Sequence, residues 1–161
     1  MRVADGMFGI KLVTPAHLDG IPYFNPPANP PKRSFMNFKS DSKARSIPEG
    51  HRAVVYVSRL RKFIWTIEFE EIIEVTEYDR LLKPWGKRRE DLGKKWKFIR
   101  PIRFIAWMDH AKDYAGAPTF AEMQRRIHYP KHRFHGEGNR FIDRKDFELL
   151  YRNIAWDHTA R

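Results

Sequence analysis

Two apolar runs joined by a short basic turn constrain this chain more than any other feature. Arg52–Ser58 is a β-branched and aromatic run of strand length. After the turn at Arg59–Lys62 the pattern alternates, with Phe63, Trp65, Ile67 and Phe69 on one face and Ile64, Thr66, Glu68 and Glu70 on the other. A period of two cannot be laid on one side of a helix, so the pair predicts an antiparallel hairpin fed by the turn Ser46-Ile47-Pro48-Glu49-Gly50.

The flanking segments add strands before and helices after. Met7–Val13 reads as a first strand, and Thr14-Pro15 as an N-cap with proline at the first helical position, opening a short helix through Leu18 that Gly20 closes. Five prolines between Ile21 and Pro31 remove backbone donors and fix φ, which predicts a long loop, an insertion at about 20–33. Lys94–Met108 predicts another strand, with Trp96, Phe98, Ile102 and Phe104 on one face and a bulge or sheet edge at Pro101. Phe120, Met123 and Ile127 mark one helical face, and Asp143 caps a second helix whose buried stripe is Phe147, Leu150, Tyr151 and Ile154. The expectation is a single α+β domain over residues 1–161, built on a curled, mostly antiparallel sheet with short flanking helices.

Composition removes several classes of function. The chain has no cysteine, which excludes a disulfide framework, a zinc–thiolate centre and a thiol nucleophile. No stretch reaches the roughly 20 apolar residues that span a bilayer, and the amino terminus lacks the order of a signal peptide, so the expected residence is cytoplasmic, without a membrane partner. His128, His132 and His135 lie close together, but Lys131 and Arg133 between them repel a cation, so neither a metal nor any other cofactor is expected. Asp109-His110 stands without a marked nucleophile, and no GxSxG, HExxH or GxxxxGK[ST] pattern occurs. The chain is therefore expected not to be an enzyme, the alternative being a small metal- or His-dependent nuclease or hydrolase using those histidines. The carboxylates Glu68, Glu70, Glu71 and Glu74 read as a solvated strand edge.

The charge is concentrated. There are 31 Lys and Arg against 20 Asp and Glu, a net charge of +11. Ten cationic residues fall between Arg80 and Arg103, among Trp85, Trp96 and Phe98, and nine between Lys32 and Lys62, among Phe35, Phe38 and Tyr56. Cations neutralise phosphates while aromatic faces stack on unpaired bases, so two such runs predict a nucleic-acid partner, DNA or RNA. Lys39, Arg59, Arg61, Lys83, Lys87, Arg88, Arg89 and Arg133 are the candidate phosphate contacts. Trp85, flanked by Lys83, Lys87, Arg88 and Arg89, is expected to be exposed.

The order of these segments resembles EVE domains. The Pro48-Glu49-Gly50 turn feeding Ala53–Ser58, the run Phe63–Ile73, the strand Trp96–Ile102 and the closing Arg133–Ile142 followed by Asp143–Phe147 are similar to successive steps of that family, in order, from Phe35 to Ile154. The chain differs at His51, where the family usually has Asp, and at Ile64-Trp65, where it has Gly. EVE domains belong with YTH and ASCH domains in the PUA-like group, so the resemblance implies a curled mixed β-barrel flanked by short helices. It also implies recognition of a flipped, modified base in an aromatic pocket. Some relatives serve as recognition modules of modification-dependent restriction systems, which implies a nuclease or NTPase partner protein, fused or recruited. Placed on the matching segments, the pocket comprises Phe35, Asn37 and Phe38, then Tyr56 and Ser58 at the end of a lining strand, and Trp85.

Overall fold

The hairpin that dominates the sequence is the centre of a six-strand path. The computed structural model describes residues 6–13, 34–92, 94–109, 112–127 and 138–160. In chain order these form β1 (Phe8–Val13), β2 (Ser34–Phe38), α1 (Asp41–Arg45), β3 (Arg52–Val57), β4 (Lys62–Phe69), α2 (Tyr78–Leu82), β5 (Phe98–Trp107), α3 (Phe120–Ile127), β6 (Gly138–Ile142), α4 (Arg144–Arg152) and β7 (His158–Thr159). The sheet runs β2-β5-β4-β3-β1-β6, with β7 added to β5 at Ala106 and Trp107. Every neighbouring pair is antiparallel except β1 and β3, so the fold is α+β with a mixed sheet curled into a half-barrel. The expected helix after Val13 and the proline-rich segment lie outside the described residues, as do His110, His128, His132, Arg133 and His135.

The curl has an identifiable cause. Between β4 and β5, Thr66 opposes Ala106 and Ile67 opposes Phe104, so Ile105 is the extra residue of a β-bulge, which bends the strand and sharpens its twist. The irregularity was expected at Pro101, yet Pro101 pairs with Phe35 in the interior strand β5. Its carbonyl accepts from Glu70 N at 2.9 Å, one residue beyond the end of β4. Because the N and O of a strand residue point the same way, the missing N–H faces the place where the β4 ladder has already stopped.

Both faces of the sheet are covered, so the alternation of β4 does not mark a solvent side. Ile64 and Thr66 are as buried as Phe63 and Trp65. Trp65 meets Phe104 edge-on at 5.5 Å on one side, while α4 covers β1 through Phe8 and Phe147 at 4.8 Å. Asp143 caps α4 as expected, its carboxylate accepting from Asp146 N at 2.8 Å, and Phe147, Leu150 and Ile154 are buried. Thr119 does the same for α3, accepting from Glu122 N at 3.2 Å. Helices α1 and α2 have five residues each, too short to show a periodicity in the sequence.

The carboxylates taken for a solvated edge are partly spent on internal pairing. Glu68 bridges Arg52 on β3 and Arg103 on β5 at 2.9 and 2.8 Å, a three-strand rung. Burial pushes the Glu68 carboxyl up, and the two guanidiniums together outweigh it and hold the group below the usual carboxylate range. Glu74 pairs with Arg45 at 2.9 Å. Among the described residues no helix is long and apolar enough to cross a membrane.

Candidate functional site

A half-barrel leaves a seam between its edge strands, here β2 and β6. A cavity of about 230 Å³ opens there. Phe38 contributes from β2 and Gly138, Asn139 and Phe141 from β6; Lys11 contributes from β1, and Lys43, Ser46 and Ile47 from α1 and its C-terminal end. Trp96, from the segment that enters β5, and Lys39 complete the wall.

Local geometry explains each wall. Alternation along β1 turns Gly9, Lys11 and Val13 to the inside of the curl, opposite Phe8, which meets α4. Lys11 is 2% exposed, with its ammonium 4.8 Å from the centre of the Phe38 ring. Lys39 lies over Trp96 at 5.0 Å in the same way, so two of the cations already rest on the aromatic walls. Ser40 caps α1 by accepting from Lys43 N at 3.2 Å, which starts the helix immediately after β2 and sets Lys43 on the rim. Phe141 is 44% exposed, an unusual setting for a phenyl ring at a cavity mouth.

The floor is built around His51, which is fully buried. Its ring sits 5.7 Å from Phe69 and 5.3 Å, edge-on, from Phe141. Nδ1 lies 2.7 Å from the carbonyl oxygen of Gly6, and Nε2 lies 3.1 Å from Nδ2 of Asn139. Gly9 makes this possible, because a Cβ there would stand 2.8 Å from His51 Nε2 and 2.8 Å from the carbonyl oxygen of Arg140.

The expected pocket residues divide. Phe38 lines the cavity, beside Lys39, which was expected as a phosphate contact. Asn37 does not line it, since its side chain points to the opposite face of β2, but its Nδ2 donates to the Trp96 carbonyl at 2.7 Å and so holds that wall in place. Phe35 is fully buried and meets Trp85 edge-on at 6.3 Å, and Tyr56 is buried against Phe63 at 4.9 Å; both are packing contacts outside the cavity. Ser58, just past β3, is half-buried and also outside it, its amide donating to the Val13 carbonyl at 2.9 Å.

Trp85 was expected to be exposed and is instead half-buried in a 3-10 turn, Lys83–Trp85, packed against the core. It borders a separate hollow of about 120 Å³ with Glu71, Glu77 and Arg80 on its wall. Two carboxylates beside that indole outnumber its one guanidinium, Arg80, whereas three lysines and no carboxylate line the seam cavity. Of the candidate phosphate contacts, Arg59, Arg61, Lys83, Arg88 and Arg89 are exposed and Lys87 is half-buried. Arg59 and Arg61 lie in the β3–β4 turn and the others between α2 and β5, so of the described candidates only Lys39 lines the seam. Arg100, counted within the second basic run, is not available at all: it is 1% exposed and donates to the carbonyls of Ala44, Ile47, Glu70 and Glu71.

Lys11, Lys43, Trp96, Asn139 and Phe141 were not among the expected pocket residues. Trp96 carried a signal, as an aromatic among Lys94, Lys95 and Lys97, and so did Lys43, as one of the cations between Lys32 and Lys62. Asp109 faces His158 at 3.5 Å, and His110 lies outside the described residues. Among the described residues no three His, Asp or Glu side chains gather as a metal would require. No protein-family model matches the chain, and no curated protein or solved structure matches it either.

Proposed function

We propose that this chain is a non-catalytic nucleic-acid-binding domain of the PUA-like, EVE kind, which receives one flipped, modified base in the cavity at the seam of the sheet. The observation that carries the reading is the pairing of Phe38, Trp96 and Phe141 with Lys11, Lys39 and Lys43 around one opening. At about 230 Å³ the cavity falls below the roughly 300–1,000 Å³ of whole small-molecule sites and suits a single planar ring system. Drawing a base out of its stack costs a few kcal/mol, which aromatic stacking and edge hydrogen bonds must return. The net charge of +11 and the exposed Lys39 and Lys43 at the rim supply attraction to the adjoining phosphates. Buried methyl groups of a modified base add about 0.8 kcal/mol each against the apolar wall.

The test is fluorescence anisotropy with single-stranded DNA and RNA oligonucleotides carrying unmodified or methylated bases. Trp96→Ala should weaken binding by about 1–3 kcal/mol if the indole stacks on a base. Trp85→Ala should leave affinity unchanged, and Lys43→Ala should reduce the slope of log K against log salt by about 0.7. Equal affinity of wild type and Trp96→Ala for every oligonucleotide, or cleavage of the oligonucleotides in the presence of divalent metal, would overturn the reading.

A further inference from the structure

The two ends of the sheet are not alike. Every residue of β2 is buried, whereas in β6 Arg140 and Phe141 are exposed and the other three residues are half-buried. The backbone direction of β6 follows from β1. Arg52 N donates to the Met7 carbonyl and Ser58 N to the Val13 carbonyl, at 2.8 and 2.9 Å, so the odd-numbered residues from Met7 to Val13 turn their N–H and C=O toward β3. Phe8, Ile10 and Leu12 therefore turn theirs toward β6, where Ile142, Arg140 and Gly138 stand opposite. Asn139 and Phe141 are left with N–H and C=O directed out of the sheet, and no hydrogen bond to those groups occurs among the described residues. Edge strands are commonly blunted by a proline or a bulge, but β6 has neither and keeps an unbroken register with β1.

We infer that the outer edge of β6 is a docking site for an extended, acidic segment of a partner protein, which adds to the sheet as a further strand. Main-chain bonds to Asn139 and Phe141 hold the segment, and one of its apolar side chains covers the Phe141 ring, which is 44% exposed. Charge selects the partner. Arg140 stands exposed between the two bonding positions, and Arg144 and Lys145 follow it, against Asp143, which caps α4, and Glu148, 3.9 Å from Arg144. Lys39 and Lys43 face β6 from the other rim of the seam. A second copy of this chain, itself carrying a net charge of +11, is repelled from such an edge, whereas an acidic segment is attracted to it. The added strand runs along the Phe141 side of the seam cavity and so brings the partner beside whatever the cavity holds.

The experiment uses two short end-capped peptides, one alternating valine with glutamate and one alternating valine with lysine, with amide hydrogen exchange followed by NMR. In the free protein the amides of Asn139 and Phe141 should exchange freely while that of Arg140 is protected, and the glutamate peptide should protect the first two. The lysine peptide should bind about tenfold or more weakly. Phe141→Pro removes only an outward N–H, which a sheet edge tolerates, and should weaken the glutamate peptide about tenfold with the urea midpoint retained. Arg140→Glu should turn the preference toward the lysine peptide, a reversal that loss of folded protein does not produce. The inference is overturned if Asn139 and Phe141 are as protected as Arg140 in the free protein, if the glutamate peptide does not bind, or if Phe141→Pro binds it as the wild type does. A concentration-dependent dimer that Phe141→Pro dissolves would also overturn it, because the occupant would then be a second copy.

Discussion

The side-chain amide of Asn37 donates to the carbonyl oxygen of Trp96 at 2.7 Å, across 59 residues of chain. Asn37 is 1% exposed, so water does not compete for this bond, and it ties the indole wall of the seam cavity to the edge strand β2. Its Oδ1 has no hydrogen-bond partner among the described residues. Asn37→Leu therefore removes one bond and one orphaned acceptor together, and these oppose each other at about 1 kcal/mol apiece. Stability measured by urea unfolding should change little, while oligonucleotide affinity falls several-fold because Trp96 loses its anchor. Unaltered affinity in a normally folded variant would show that the wall holds its place without Asn37.

Arg100 does for the far side of the cavity what Asn37 does for Trp96. Its guanidinium donates to Ala44 and Ile47 at 2.7 and 2.6 Å, at the C-terminal end of α1, and to Glu70 at 2.6 Å. It also lies 5.6 Å from the centre of the Phe69 ring. Burial pulls its pKa down to about 10, partly offset by Glu49, so it remains charged at neutral pH. The cation meets carbonyls that a helix end otherwise leaves unpaired. Arg100→Met would bury those neutral acceptors without partners, and at about 1–3 kcal/mol for each stranded carbonyl a loss of about 3–5 kcal/mol in all is expected. Arg100→Lys, a point donor in place of a planar fork, should recover only part. The check is the urea midpoint of each variant, and a loss below about 1 kcal/mol for Arg100→Met would contradict this account.

What could be read from the chain and what could not follows the range of the interactions involved. The β3–β4 hairpin and α4 were legible because their signals are local: a period of two from Phe63 to Phe69, and Asp143 ahead of Phe147, Leu150 and Ile154. Phe38 and Lys39 were legible as part of an aromatic and basic segment. Lys11 was not, because a lysine within an apolar strand has no local mark, and its place beside Phe38 exists only after β1 and β2 meet across the curl. Trp96 was read as a strand residue in phase with Phe98, whereas the strand begins only at Phe98 and leaves the indole at the cavity. Arg100 illustrates the converse: in the sequence it is one more cation of a basic run, and its four carbonyl partners come from segments about 30 and about 55 residues away. Trp85 among lysines and arginines had the composition of a binding residue, and the tertiary contact with Phe35 overrode it.

Tyr114 gives the fold a defined alkaline limit. It is 4% exposed and follows Asp113 in a turn where both residues have positive φ, 52° and 55°, a costly conformation for residues other than glycine. Its carbonyl accepts from Lys62 Nζ at 3.2 Å, which ties the turn to the start of β4. Burial, and then the charge of Asp113, push the phenol up to about 12. The unfolded chain would ionise the same phenol near pH 10, so between those values the unfolded state has released a proton that the folded state keeps. Stability from this group is therefore complete below about pH 10 and is lost as the pH rises through about 12. Burial raises Tyr56 and Tyr78 in the same direction. Phenolate absorbance of the folded protein should accordingly show a fraction of the six tyrosines titrating late, and Tyr114→Phe should retain more of its neutral-pH stability above about pH 10 than the wild-type protein. Identical alkaline unfolding of the two proteins would show that Tyr114 does not set the limit.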